Sequence, residues 1–141
     1  MSEKKIRLVL DSNTIISGLL WKGNEYLLLG AIDNKNAELY ISEEILLEID
    51  RVLHYPRLEG YIKKAGLSIE ELLQKILSLS RIVIGENRNV HVCRDPDDNK
   101  FIECAINANA DYLISGDNDL LVIKVHENIK ITTTREILKI L

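Results

Sequence analysis

The chain has 141 residues, of which 46% are hydrophobic, and a formal net charge of −4. That length predicts one domain with its own core, and the acidic balance counts against a nucleic-acid binder acting by charge alone, though not against a nuclease whose metal-binding acids lower the net charge. Cys93 and Cys104 are too few for a disulfide framework or a thiolate zinc site and read as interior thiols; with no signal peptide and no run near the roughly 18 apolar residues of a membrane span, a soluble cytoplasmic protein is expected.

Ile6 to Leu10 is apolar except for Arg7 and rich in branched residues, which predicts a buried parallel strand ending at Asp11. Ser12, Asn13 and Thr14 can cap the helix that follows to about Trp21. A second apolar helix spans Tyr26 to Ile32 and ends in the turn Asp33-Asn34-Lys35-Asn36. Leu39 to Ile41 reads as a strand. Ser42 then starts a helix with Glu43 and Glu44 in its first turn and an apolar stripe of Ile45, Leu46, Ile49, Val52 and Leu53. Glu48 and Asp50 fall on opposite borders of that stripe, and periodicity does not choose between them.

Pro56 ends this helix. Two more helices, Leu58 to Ala65 and Ser68 to Leu79, are split at Gly66, and Ser68 with Glu71 forms a capping-box pattern. Arg81 to Ile84 reads as a strand and Val90-His91-Val92 as a further short extended piece. Next comes the acidic stretch Asp95-Pro96-Asp97-Asp98-Asn99, in which Asp98 or Asn99 can cap a helix from Lys100 to Asn109. Leu113 to Ser115 is a strand, Gly116 allows a tight turn into Asp117-Asn118-Asp119, Ile129 to Ile131 is the last strand, and Thr133 or Thr134 caps a terminal helix. Strands of four to six residues alternating with helices predict an α/β fold, a sandwich around a mostly parallel sheet.

In such sheets ligands bind outside the carboxyl ends of the strands. Asp11 and Asp117 each follow a strand, and Asp98 sits at a helix start on the same edge. Glu48, about two turns into its helix, has the reach to join them. Carboxylates about 4 Å apart repel by about 4 kcal/mol at an effective dielectric near 20, and hard divalent cations such as Mg²⁺ or Mn²⁺ offset that repulsion. Two such ions can drive phosphodiester hydrolysis with no serine–histidine pair. Asp119 is an accessory candidate, and Asn13 and Ser115 can orient ligands or substrate. Arg57, Lys63 and Lys64, interleaved with Tyr55 and Tyr61, form the best basic and aromatic patch for single-stranded nucleic acid. His54, His91 and His126 share no metal-ligand spacing.

Four stretches in this order carry a resemblance that covers nearly the whole chain. They are Val9-Leu10-Asp11-Ser12-Asn13-Thr14, Ser42 to Glu48, Asp95 to Ala105, and Ala110 to Leu120. Together they resemble the PIN-domain ribonucleases, specifically the small stand-alone members that serve as toxins of toxin–antitoxin pairs. The resemblance implies a three-layer α/β/α sandwich and a Mg²⁺- or Mn²⁺-dependent endoribonuclease that leaves 5′-phosphate and 3′-hydroxyl ends. It implies Asp11, Glu48, Asp98 and Asp117 as the catalytic, metal-binding acids, with Asp119 accessory, and it prefers Glu48 over Asp50. Asp97 or Asn99 competes with Asp98 for the third position. The partners implied are an RNA substrate, an antitoxin protein and a second copy of the chain, with no membrane.

The alternatives are a Mg²⁺-dependent phosphatase of the haloacid-dehalogenase kind and a non-catalytic module that binds RNA or protein. The phosphatase pattern fails at Asn13 and Ile15, where it needs a second acid and Thr or Val. An EF-hand starting at Asp95 fails at Lys100 and Ile106, where it needs Gly and Glu.

Overall fold

A computed structural model describes residues 4–141 of the chain. The described residues form a six-stranded sheet in the order β3-β2-β1-β4-β6-β5 with helices on its faces, a three-layer α/β/α arrangement. The strands are β1 (Arg7–Leu10), β2 (Glu38–Ser42), β3 (Ser80–Val83), β4 (Tyr112–Ile114), β5 (Val125–His126) and β6 (Ile129–Thr132). The helices are α1 (Ser12–Leu20), α2 (Asn24–Asp33), α3 (Glu43–Leu53), α4 (Glu59–Ala65), α5 (Ile69–Leu79), α6 (Asn99–Asn107), α7 (Asn118–Leu121) and α8 (Thr134–Ile140). All neighbouring strands are parallel except β5 and β6.

Central position in the sheet explains the sequence of β1. It pairs with β2 on one side and β4 on the other, in register Leu8↔Leu39 and Leu8↔Tyr112. Leu8, Val9 and Leu10 are fully buried, as a strand covered on both faces requires. From β1 the strand order runs outward to β2 and β3 in one direction and to β4 and β6 in the other. The reversal opens a crevice between the carboxyl ends of β1 and β4, the usual place for a ligand in an open α/β sheet.

Local chemistry sets the helix ends. Ser68 and Glu71 form the expected capping box, and Gly66 ends α4 at φ 75° in the left-handed region. Thr133, rather than Thr134, caps α8 through its bond from the Glu136 amide. At α1 the cap is Asp11 itself, which accepts from the Thr14 amide at 2.8 Å, so Ser12, Asn13 and Thr14 lie inside the helix.

Two local expectations are corrected. Val90 to Val92 forms no strand and pairs with none of the six strands among the described residues. The hairpin of β5 and β6 was not foreseen; Glu127 and Asn128 turn it with φ values of 47° and 70°. Cys93 and Cys104 are buried free thiols as expected, and burial pushes them up to about 11 and about 12. Among the described residues no helix is long and apolar enough to cross a membrane.

Candidate active site

Each acid of the site reaches the crevice from a different piece of chain. Asp11 leaves the end of β1, where its amide donates to the Ile114 carbonyl of β4 at 3.0 Å. Asp117 comes three residues after β4 and caps the short helix α7 by accepting from the Asp119 amide at 2.9 Å. Asp98 ends a 3-10 turn, Pro96–Asp98, that leads into α6. Pro96 opens that turn, and Asp95 folds its carboxylate onto the Asp97 amide at 3.0 Å.

Asp98, Asp117 and Asp119 each offer a carboxylate oxygen, and these lie within 4.8 Å of one another. One oxygen of Asp98, Oδ2, is buried and has no hydrogen-bond partner among the described residues. The carboxyl is pushed up to about 7, first by burial, then by its hydrogen bond with Asp117 and the charges of Asp117, Asp95 and Asp11. An unpartnered buried carboxylate oxygen beside two further carboxylates is a donor set suited to a hard divalent cation. The residues therefore fit such an ion, which Asp98, Asp117 and Asp119 would hold.

Asp11 stands beside this group and is joined to it through a serine. Ser115 Oγ donates to Asp11 Oδ2 and accepts from the Asp117 amide at 2.9 Å. Burial drives the Asp11 carboxyl up, and the bonds from Ser115 and Thr14 oppose the rise. Ser115 is itself buried, 1% exposed, so this hydroxyl is a fixed link between the ends of β1 and β4.

Glu48 is outside the three-acid group. It accepts from Ser12 Oγ and pairs with Lys100 Nζ at 2.7 Å. The Lys100 side chain is only 8% exposed. Asp50 instead pairs with His54 on the surface. Of the three candidates for the third position, Asp98 is the one in the three-acid group. Asn99 spends its side-chain oxygen on the Cys93 amide at 3.0 Å, and Asp97 is exposed. Asp98 occupies the position before α6 but makes no side-chain cap bond, contrary to its expected capping role.

A cavity of about 550 Å³ opens beside these acids. Asp11, Asn13, Ser115 and Asp117 line it together with Asn24, Glu25 and Arg135. Arg57, Lys63 and Lys64 do not line it. They are exposed near the 3-10 turn Pro56–Leu58 and on α4, with the Arg57 guanidinium 5.5 Å from the Tyr55 ring centre. Tyr61 packs edge-to-face with Trp21, centroids 4.9 Å apart, an aromatic partner the sequence reading did not include. Sequence reasoning also missed Lys100 and Arg94, which binds Asp119 through Nε at 2.8 Å and through Nη2. Neither pairing has a local signal, since each spans at least 25 residues of chain.

Fold and site together define a class: an α/β protein with an acidic, cation-suited cleft at the switch point of a mostly parallel sheet. The family model for the PIN domain matches residues 7–119, and the chain belongs to the PIN domain family. PIN domains are generally metal-dependent nucleases. The chain is also 36% identical, over 125 residues, to the uncharacterized protein MJ1680 of Methanocaldococcus jannaschii, covering 88% of this chain and 79% of that one.

Proposed function

We propose that this protein is a Mg²⁺- or Mn²⁺-dependent endoribonuclease that hydrolyses phosphodiester bonds of single-stranded RNA. The observation that carries the reading is the meeting of Asp98 with Asp117 and Asp119 within 4.8 Å, from segments on either side of β4, with one Asp98 oxygen buried and unpartnered. The chemistry a divalent ion supplies when bound there is activation of water and neutralisation of charge on the scissile phosphate.

The chain's own residues do the positioning. Asp98, Asp117 and Asp119 hold the cation. Asp11, fixed by Ser115 and Thr14, presents a further carboxylate at the same edge. Glu48 anchors Ser12, the residue after Asp11, and Lys100 neutralises it. Asn13 and Ser115 face the cavity in which the substrate backbone lies. Arg57, Lys63 and Lys64, with the exposed rings of Tyr55, Tyr61 and Trp21, supply a secondary grip on single strands through charge and stacking.

Family membership supports a further role as the toxin of a toxin–antitoxin pair, acting in the cytoplasm. Exposed Leu47, Ile82 and Ile84 offer apolar surface to an antitoxin protein or a second copy. The decisive assay is cleavage of end-labelled single-stranded RNA in Mn²⁺. Cutting is expected to vanish with chelator and with Asp11→Asn; cutting that survives either change refutes the reading.

A further inference from the structure

Arg135 is a cation in the lining of this cleft that holds none of the acids among the described residues. It follows the Thr133 cap at the start of α8, and it lies beyond residues 7–119, the span that the family model matches. β6 runs parallel to β4, so the chain leaving β6 emerges on the same sheet edge as Asp117. Arg135 therefore lines the cavity that Asp11 and Asp117 also line. Among the described residues its exposed side chain makes no ion pair or side-chain hydrogen bond. The other guanidinium near the acids is committed, since Arg94 is held by Asp119.

The cavity lining carries further donors: the side chains of Asn13 and Asn24 are exposed and make no hydrogen bond among the described residues. The lining is thus mixed, with the acids Asp11 and Asp117 beside a planar guanidinium and two amides. Glu25 also lines this space and opposes any free anion. An anion would enter only as part of a longer ligand held at several points. A phosphodiester strand has that form, and guanidinium matches phosphate through paired N–H donors.

We propose that Arg135, assisted by Asn13 and Asn24, binds a backbone phosphate of the RNA strand next to the one being cut, and so sets where the strand lies across the acids. Arg135 is a positioning residue for substrate. This inference rests on the nuclease reading.

The test compares wild type, Arg135→Ala and Arg135→Lys on end-labelled single-stranded RNA. Arg135 is exposed, so the substitutions leave the core untouched. In Mn²⁺, Arg135→Ala is expected to raise KM about fivefold with kcat within about twofold, the mark of lost uniform binding. Arg135→Lys keeps the charge but not the fork and recovers part of the loss. A second readout is RNA binding by fluorescence anisotropy in Ca²⁺, read before any product forms. Arg135→Ala is expected to bind about fivefold more weakly, with a salt slope shallower by about 0.7, the value for one phosphate contact on a single strand. Unchanged KM, affinity and salt slope in a cleaving protein overturn the role of Arg135 and leave the nuclease reading intact. A wild-type protein that cuts nothing overturns the nuclease reading instead, and the binding measurement still decides Arg135.

Discussion

The Asp98→Asn substitution is expected to make the metal-free protein more stable and to abolish its response to metal. Asp98 is 9% exposed and its carboxyl stands at about 7 against an ordinary 3.8. Below about pH 4 it is protonated both folded and unfolded, so it contributes no pH dependence. Between about pH 4 and 7 the unfolded chain releases this proton and the folded chain keeps it. Stability contributed by the neutral form is therefore lost as pH rises to the folded value, at about 1.4 kcal/mol per unit. The ceiling is about 4 kcal/mol, and relaxation with water entry takes back about half, leaving about 2 kcal/mol. Asn has the same shape without the charge. In EDTA at pH 8 it should raise Tm by about 5 to 8 °C for a chain of this length, and the gain should shrink toward zero at pH 4.5. Wild type should gain about 2.7 kcal/mol from Mn²⁺ at one hundred times its Kd, and the variant far less. Scanning calorimetry across pH, with EDTA and with Mn²⁺, measures all of this. A variant less stable than wild type in EDTA at pH 8, or a gain that does not change with pH, would refute the reasoning.

Ser115→Ala removes the hydroxyl that serves both Asp11 and the Asp117 amide, and should cost about 1 to 3 kcal/mol in urea unfolding. An unchanged midpoint would mean the two strand ends are held some other way. Lys100→Met strips the buried partner from Glu48 and should cost about 2 kcal/mol; adding Glu48→Met should recover part of it, and a strictly additive double variant would show that the pair is not coupled. Gly18→Ala improves helix propensity by about 1 kcal/mol, yet its Cβ would stand 2.8 Å from the Glu25 carbonyl and 2.6 Å from Leu29 Cδ1. A net loss of about 2 kcal/mol is expected from this overpacking, and a stabilised variant would contradict the tight α1–α2 contact.

The addresses of Asp11 and Asp117 were legible because each follows an apolar run short enough to be a buried strand, and strand ends define where an open sheet binds. Strand order was not legible. It depends on β1 accepting β2 and β4 on opposite sides, which no local pattern encodes. The border position of Glu48 was legible from the stripe of α3, but not its destination. Glu48 pairs with Lys100, which lies 52 residues away, so no local pattern signals the pairing. Asn99 competes with Asp98 in the sequence because it sits one residue away, and its bond from the Cys93 amide is a contact that no local pattern encodes. The β5–β6 turn carried a weak signal in Asn128, a residue that tolerates positive φ, and a two-residue connection there favours a hairpin.

Electrostatics accounts for the pairing of Glu48 with Lys100. Asp98, Asp117 and Asp119 already crowd three carboxylates into a few ångströms, and the repulsion is relieved partly by raising the Asp98 carboxyl to about 7, which keeps it protonated at acid pH, and partly by setting Arg94 on Asp119. A further carboxylate without its own cation would raise that cost by several kcal/mol at an effective dielectric near 20, roughly 4 for each close contact. Lys100 offsets the Glu48 charge with an ion pair, and Ser12 Oγ donates to the other carboxylate oxygen. The result is an acidic centre with its own paired support: Glu48 fixes the first turn of α1, α1 begins at Asp11, and Asp11 is tied through Ser115 to the loop that carries Asp117. A chain of short polar contacts thus sets the spacing of the acids before any cation arrives, so binding energy is not spent on ordering them.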